Sequence, residues 1–171
     1  MTTKVLMDVE EYLKTGFDGA DCEYLDGEVV ERNMGELPHG RLQKRLINWL
    51  TQLEARLGLE IIPEIRIQIH ARRYRVADIA VWRAGDIGER IPAVPPFLAI
   101  EILSWEDRMV RMQPKIQEYL SIGVEWIWVI DPDEKKAICY SRKNPKLKFQ
   151  NAAELRYIAM RLKRHRDFGM F

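Results

Sequence analysis

The sequence predicts an α/β fold in which a central mixed β-sheet is flanked by α-helices, and three observations predict it. Apolar residues recur at helical spacing between residues 39 and 57. Several short runs are rich in β-branched, apolar and aromatic residues, as strands are. Late in the chain one such run, a helical stretch and a second run follow one another, the strand–helix–strand order of a mixed sheet.

The elements follow in order. Residues 7 to 14 suggest a short N-terminal helix, and CEYLDGEVVERN reads as a β-hairpin. Its Asp26-Gly27 pair suits a tight turn with positive φ. From His39 to Leu57 the residues Leu42, Leu46, Trp49, Leu50, Leu53 and Leu57 form one apolar stripe, and Gly58 is a C-terminal stop. EIIPEIRIQI and YRVADIAVW then read as two strands joined by the basic turn HARR. A Gly/Pro-rich loop follows and ends in the apolar strand FLAIEIL. The next helix is predicted to begin near Pro114, a residue suited to a first turn, and to stop at Gly123. VEWIWVI is too apolar for an exposed strand and is expected inside the sheet, with DPDEK and AICYS completing a hairpin. Beyond Asn144 the pattern is weak.

A chain of 171 residues fits a single domain, with 47% hydrophobic and 31% charged residues. There is no internal repeat or long linker, so residues 1–171 are read as one domain with its core at about 20–141. No run approaches the roughly 18 apolar residues that span a bilayer, and the start has no signal-peptide core. A cytoplasmic protein without membrane contact is expected. Two cysteines, Cys22 and Cys139, are too few for a disulfide framework or zinc cluster and read as buried, reduced thiols. The net charge of +1 conceals an asymmetry, because residues 142–166 hold nine Lys or Arg and one acid, Glu154. That basic segment of 142–171 is either a solvated face or an attraction for phosphate backbones.

Glu101 is the most informative residue, an acid set in FLAIEIL with apolar neighbours on both sides. An ionised carboxylate on a buried strand is costly unless it is paired or bound to a metal. The plainer alternative is a strand end that reaches solvent. Asp78 interrupts RVADIAVW in the same way, on a face with Val76 and Ala80. Paired hard oxygen donors on neighbouring strands suit Mg²⁺ or Mn²⁺. Lys115 opens the following helix on the same side as Tyr119 and could reach the strand ends. His39, at the start of the long helix, and Glu23, in the hairpin, are softer candidates for lining a site. The alternative for His39 is a surface or capping role, and for Glu23 mere decoration of the hairpin.

Taken together, EYLDGEVVE, the His39 helix start, YRVADIAVW, PPFLAIEILS and KIQEYLSIGVEWIWVIDP resemble the Uma family of bacterial restriction-endonuclease-like proteins, a branch of the PD-(D/E)XK nuclease superfamily. The resemblance covers roughly residues 20 to 141. It implies a restriction-endonuclease-like fold, with Asp78, Glu101 and Lys115 as the catalytic set and Asp78 and Glu101 as metal ligands. In the wider superfamily the lysine lies two residues after the second acid, where this chain has Leu103; the family's migrated lysine matches Lys115. Three positions depart from the pattern: Ala77 and Trp105 stand where prolines are usual, and Arg111 where an acid is expected. The basic end does not resemble the family's usual C-terminus.

The implied activity is Mg²⁺- or Mn²⁺-dependent hydrolysis of DNA phosphodiester bonds, with the backbone carbonyl of Ile102 as a further metal ligand and a homodimer as the plausible assembly. Two rivals stand beside it. One is a module of the same fold, weak or inactive in catalysis, that binds nucleic acid or oligomerises. The other is a metal-dependent hydrolase acting on a different substrate.

Overall fold

The computed structural model describes residues 5–18, 21–32, 35–88, 90–104, 109–142 and 147–149. Most of the basic C-terminal segment, the side chain of Arg111, and Trp105 lie outside the described residues.

Among the described residues, nine strands and three helices follow in the order β1 (Val5–Leu6), α1 (Val9–Lys14), β2 (Glu23–Leu25), β3 (Glu28–Val30), α2 (Leu37–Leu57), β4 (Leu59–His70), β5 (Arg73–Arg83), β6 (Leu98–Ile102), α3 (Met109–Ile122), β7 (Trp126–Asp131), β8 (Lys136–Ser141) and β9 (Leu147–Phe149). They form one sheet in the order β1-β3-β2-β5-β6-β7-β8-β9, with β4 also paired to β5. Only β6 and β7 run parallel among the described pairs, joined across α3, so the sheet is mixed. β9 adds an antiparallel edge strand where the sequence pattern was weak.

The turn chemistry acts as the sequence implies. Asp26 and Gly27 both take positive φ, 55° and 109°, the geometry a two-residue hairpin requires. Gly58 ends α2 in the left-handed conformation, its N–H donating to the Glu54 carbonyl. One expectation needs correction. Pro114 does not open its helix, because α3 is already helical from Met109 and carries the proline inside it. Met112, Ile116 and Tyr119 form one buried stripe that continues on both sides of the ring. Packing of that stripe outweighs the backbone hydrogen bond that a proline forfeits. The exposed position of Pro114 keeps the ring out of the core.

The sheet is covered on both faces. Leu46 and Leu50 of α2 pack on Ile79, Val81, Leu98, Ile100 and Trp128. Met112, Ile116 and Tyr119 of α3 pack with Ala80, Trp82, Ala99 and Ile127. A third cluster under α1 joins Tyr12, Cys22, Tyr24, Val29 and Tyr74. Both Cys22 and Cys139 are buried free thiols. Among the described residues no helix is long and apolar enough to cross a membrane.

One topological feature gathers the buried charged side chains. Along one edge β5 pairs with β4 over nearly its whole length. Its other edge is shared: β2 pairs with Arg73 and Tyr74, and β6 pairs with Ile79 to Val81. Between these two partners, over residues 75 to 78, the sheet forks.

Candidate active site

A fork in a sheet leaves backbone donors and acceptors without a ladder partner, and buried ones must be satisfied some other way. Here side chains do it. The Val76 N–H donates to Glu23 (3.2 Å), the Val76 carbonyl accepts from Lys115 Nζ (2.8 Å), and the Ile102 N–H donates to Asp78 Oδ2 (2.6 Å). The registry Ile79↔Ile100 puts Asp78 opposite Glu101 on the neighbouring strand. The fork thus gathers Glu23 from β2, Asp78 from β5, Glu101 from β6 and Lys115 from α3, and all four are buried.

Glu101, 3% exposed, uses both carboxylate oxygens: Oε2 accepts from Lys115 Nζ and Oε1 from the Tyr119 hydroxyl, each at 2.8 Å. Lys115 and Tyr119 are one helical turn apart, so a single face of α3 delivers both. The Lys115 ammonium has three acceptors, Glu101, the Val76 carbonyl and Glu23, the last at 3.0 Å. Burial works against its charge, but Glu101 and Glu23 outweigh burial and raise its pKa. Burial pushes the Glu101 carboxyl up to about 7, against Lys115 and helped by the nearby Asp78 charge. Of the two, the lysine's charge is the firmer, because it has three acceptors around it.

Glu23 is opposed by burial too, yet Lys115 and Arg75 hold its carboxyl down at about 2. Arg75 donates to Glu23 (2.6 Å) and to Glu118 (2.5 Å), and Glu118 also receives Arg73 (2.5 Å). This chain of ion pairs braces the lysine from behind.

Asp78, 2% exposed, sits on the opposite flank. Besides the Ile102 N–H it is reached by His39 Nε2 at 3.3 Å and by the guanidinium of Arg32. Burial raises its carboxyl, but the His39 hydrogen bond and the Arg32 and Lys115 charges bring the net shift below the ordinary value. His39 is raised in turn, chiefly by its bond to Asp78. Gly35 lies against this histidine, and a Cβ there would stand 3.3 Å from His39 Nδ1. One turn beyond His39, Gln43 donates to the Asp78 carbonyl (3.0 Å) and to Glu64 (2.6 Å). Arg32 spans Asp78 and Glu64. Glu64 lies opposite Asp78 on β4 with φ of 50°, a left-handed backbone rarely taken by glutamate.

Asp78, Glu101, Lys115, His39 and Glu23 therefore converge. Ile102 enters through its N–H to Asp78. Sequence reasoning passed over Arg32, Gln43, Glu64, Arg75 and Glu118, and gave Tyr119 no partner. The four-residue spacing from His39 to Gln43 was a usable signal for one of them. Among the described residues no three His, Cys, Asp or Glu side chains form a ready metal cage. Two buried carboxylates of hard oxygen donors nevertheless fit a Mg²⁺-type ion, which commonly takes one or two carboxylates and completes its shell with water and substrate phosphate.

Comparison with known proteins agrees with this architecture. A crystal structure from Anabaena variabilis ATCC 29413, described as a putative nuclease belonging to DUF820, superimposes with a TM-score of 0.76 at 22% identity, over 85% of each chain. At that identity the likeness is one of fold. The DrdV–DNA complex aligns more loosely, with a TM-score of 0.48 and 16% identity over 72% of this chain and 11% of the other. No curated protein matches. The profile of the Uma2 family, described as "Putative restriction endonuclease", matches residues 9–159, and the chain belongs to that family.

Proposed function

We propose that this protein is a metal-dependent endonuclease that hydrolyses DNA phosphodiester bonds. The observation that carries the reading is the pair of buried carboxylates, Asp78 and Glu101, facing each other at the fork with the Lys115 ammonium beside them. Two acids and a lysine gathered at the centre of a sheet, where burial penalises every charge, mark a functional-site candidate. Membership of the restriction endonuclease family supports the same reading.

In this proposal Asp78, Glu101 and the Ile102 carbonyl hold one Mg²⁺ or Mn²⁺. Such an ion would supply Lewis-acid chemistry, polarising a phosphate and easing ionisation of a water. Lys115 orients that water or stabilises charge developing on the phosphate. Tyr119 fixes the Glu101 carboxylate, Glu23 positions the lysine, and His39 steadies Asp78. Cutting both strands of a duplex calls for two such sites, so a homodimer is part of the proposal.

The test is calorimetric titration of Mn²⁺ and Mg²⁺ into folded wild type and Glu101→Ala. Saturable binding of about one ion per chain, lost in the variant, is expected, followed by Mg²⁺-dependent nicking of plasmid DNA that Lys115→Ala abolishes. One observation favours a second reading, a nuclease-fold module without catalysis: protein donors already occupy both oxygens of Glu101. A folded wild type that binds neither metal and leaves plasmid DNA uncut with Mg²⁺ present would decide for that module.

A further inference from the structure

Arg32 is a cation placed where the proposed reaction needs a different one. It lies in the segment between β3 and α2, with a side chain 16% exposed, and its two terminal nitrogens divide between Asp78 and Glu64. Asp78 has a second set of partners in His39 and the Ile102 N–H, so the guanidinium is not needed to satisfy a lone carboxylate. Glu64 has Gln43 as an additional donor and is half-exposed. Glu64 holds a left-handed backbone, and its carboxylate receives the arginine. Two paired strands, β4 and β5, thus hold one guanidinium between facing carboxylates.

We propose that Arg32 occupies the cation position on Asp78 and competes with the divalent ion for it, while Glu64 retains the displaced guanidinium at the site. The inference rests on the metal-dependent reading above. An arginine cannot lose its charge at working pH, so only movement frees Asp78. A bound divalent ion beside the guanidinium would face like-charge repulsion at close range, which makes the two occupants alternatives. Because the binding-competent state is the one with Arg32 displaced, the apparent metal affinity of the wild type falls by the fraction of molecules in that state. Glu64 keeps the displaced group nearby, where a substrate phosphate would next meet a positive charge.

The experiment is a calorimetric Mn²⁺ titration of wild type, Arg32→Gln, Arg32→Lys and Glu101→Gln, each checked by thermal melting. Arg32→Gln is expected to bind Mn²⁺ roughly tenfold more tightly than wild type. Arg32→Lys, whose single ammonium cannot span both carboxylates, should fall between the two. A role confined to structure would leave metal affinity unchanged or weaken it. If wild type binds Mn²⁺, Glu101→Gln does not, and Arg32→Gln binds no tighter than wild type, the competition is refuted and the nuclease reading stands. If Arg32→Gln does not fold, Arg32→Lys decides alone: affinity equal to wild type refutes the proposal. Binding by an arginine variant but not by wild type supports both ideas. Absence of binding in every folded protein overturns both.

Discussion

Each charged side chain at the fork is held by partners of opposite sign, and that arrangement sets what single substitutions do. Glu23 gives the clearest case. Its carboxyl is held at about 2, below the ordinary value of 4.5, so its ionised form stabilises the fold. The sign follows: this contribution is complete above pH 4.5 and disappears as the pH falls towards 2. A shift of that size corresponds to about 3 kcal/mol. Urea melts of wild type between pH 6 and pH 2 should therefore lose more stability than those of Glu23→Gln, and parallel curves would contradict the ion pairing. Lys115→Ala should destabilise by about 3–5 kcal/mol, since it leaves Glu101 and Glu23 buried without their shared cation. Lys115→Met, which keeps the apolar stem, separates loss of chemistry from loss of volume. The acids among these residues were legible because a carboxylate within FLAIEIL or RVADIAVW has no cheap place to go. Arg32 was not, since arginines outside periodic segments are common and nothing local ties residue 32 to residue 78.

The elements explain why the rest of the site assembles. α2 contributes its core face through Leu46 and Leu50 and presents His39 and Gln43 at its first turns. Leu50→Ala should cost about 2–5 kcal/mol in chemical denaturation. The β2–β3 hairpin carries Glu23, and its register depends on the turn. Gly27 has φ of 109° and sits 3.4 Å from an Arg72 nitrogen where a Cβ would stand. Gly27→Ala is expected to destabilise by about 1 kcal/mol or more, with a larger effect on the proposed Lys115-dependent cleavage than on melting. Equal effects on both would show that the hairpin merely adds stability. The hairpins, α1, α2 and the buried β7 were legible because apolar spacing and turn residues report directly on backbone geometry. Two things were not. Proline at 114 suggested a helix start, whereas the Met112, Ile116, Tyr119 stripe extends the helix through it. The left-handed backbone of Glu64 is invisible in a sequence, because a glutamate there gives no hint of φ.

For the molecule as a whole, the proposed metal binding would be linked to folding. A ligand that binds only the folded state at one hundred times its Kd adds about 2.7 kcal/mol. For a domain of this size that is about 5–10 °C in melting temperature. Mn²⁺ should therefore raise the melting temperature of wild type, and the rise should vanish in Glu101→Ala. A rise of the same size in that variant would place the ion elsewhere. The mixed sheet itself was legible from the order of the elements, but the fork in it was not. Nothing in the sequence says that β2 and β6 share one edge of β5. That sharing has a consequence for descent. Glu23, Asp78 and Lys115 close the hydrogen bonds of the parted strands, so a lineage that abandoned cleavage would still be punished for discarding them. Their persistence in a distant cousin would testify first to architecture, and only with a measured activity to chemistry.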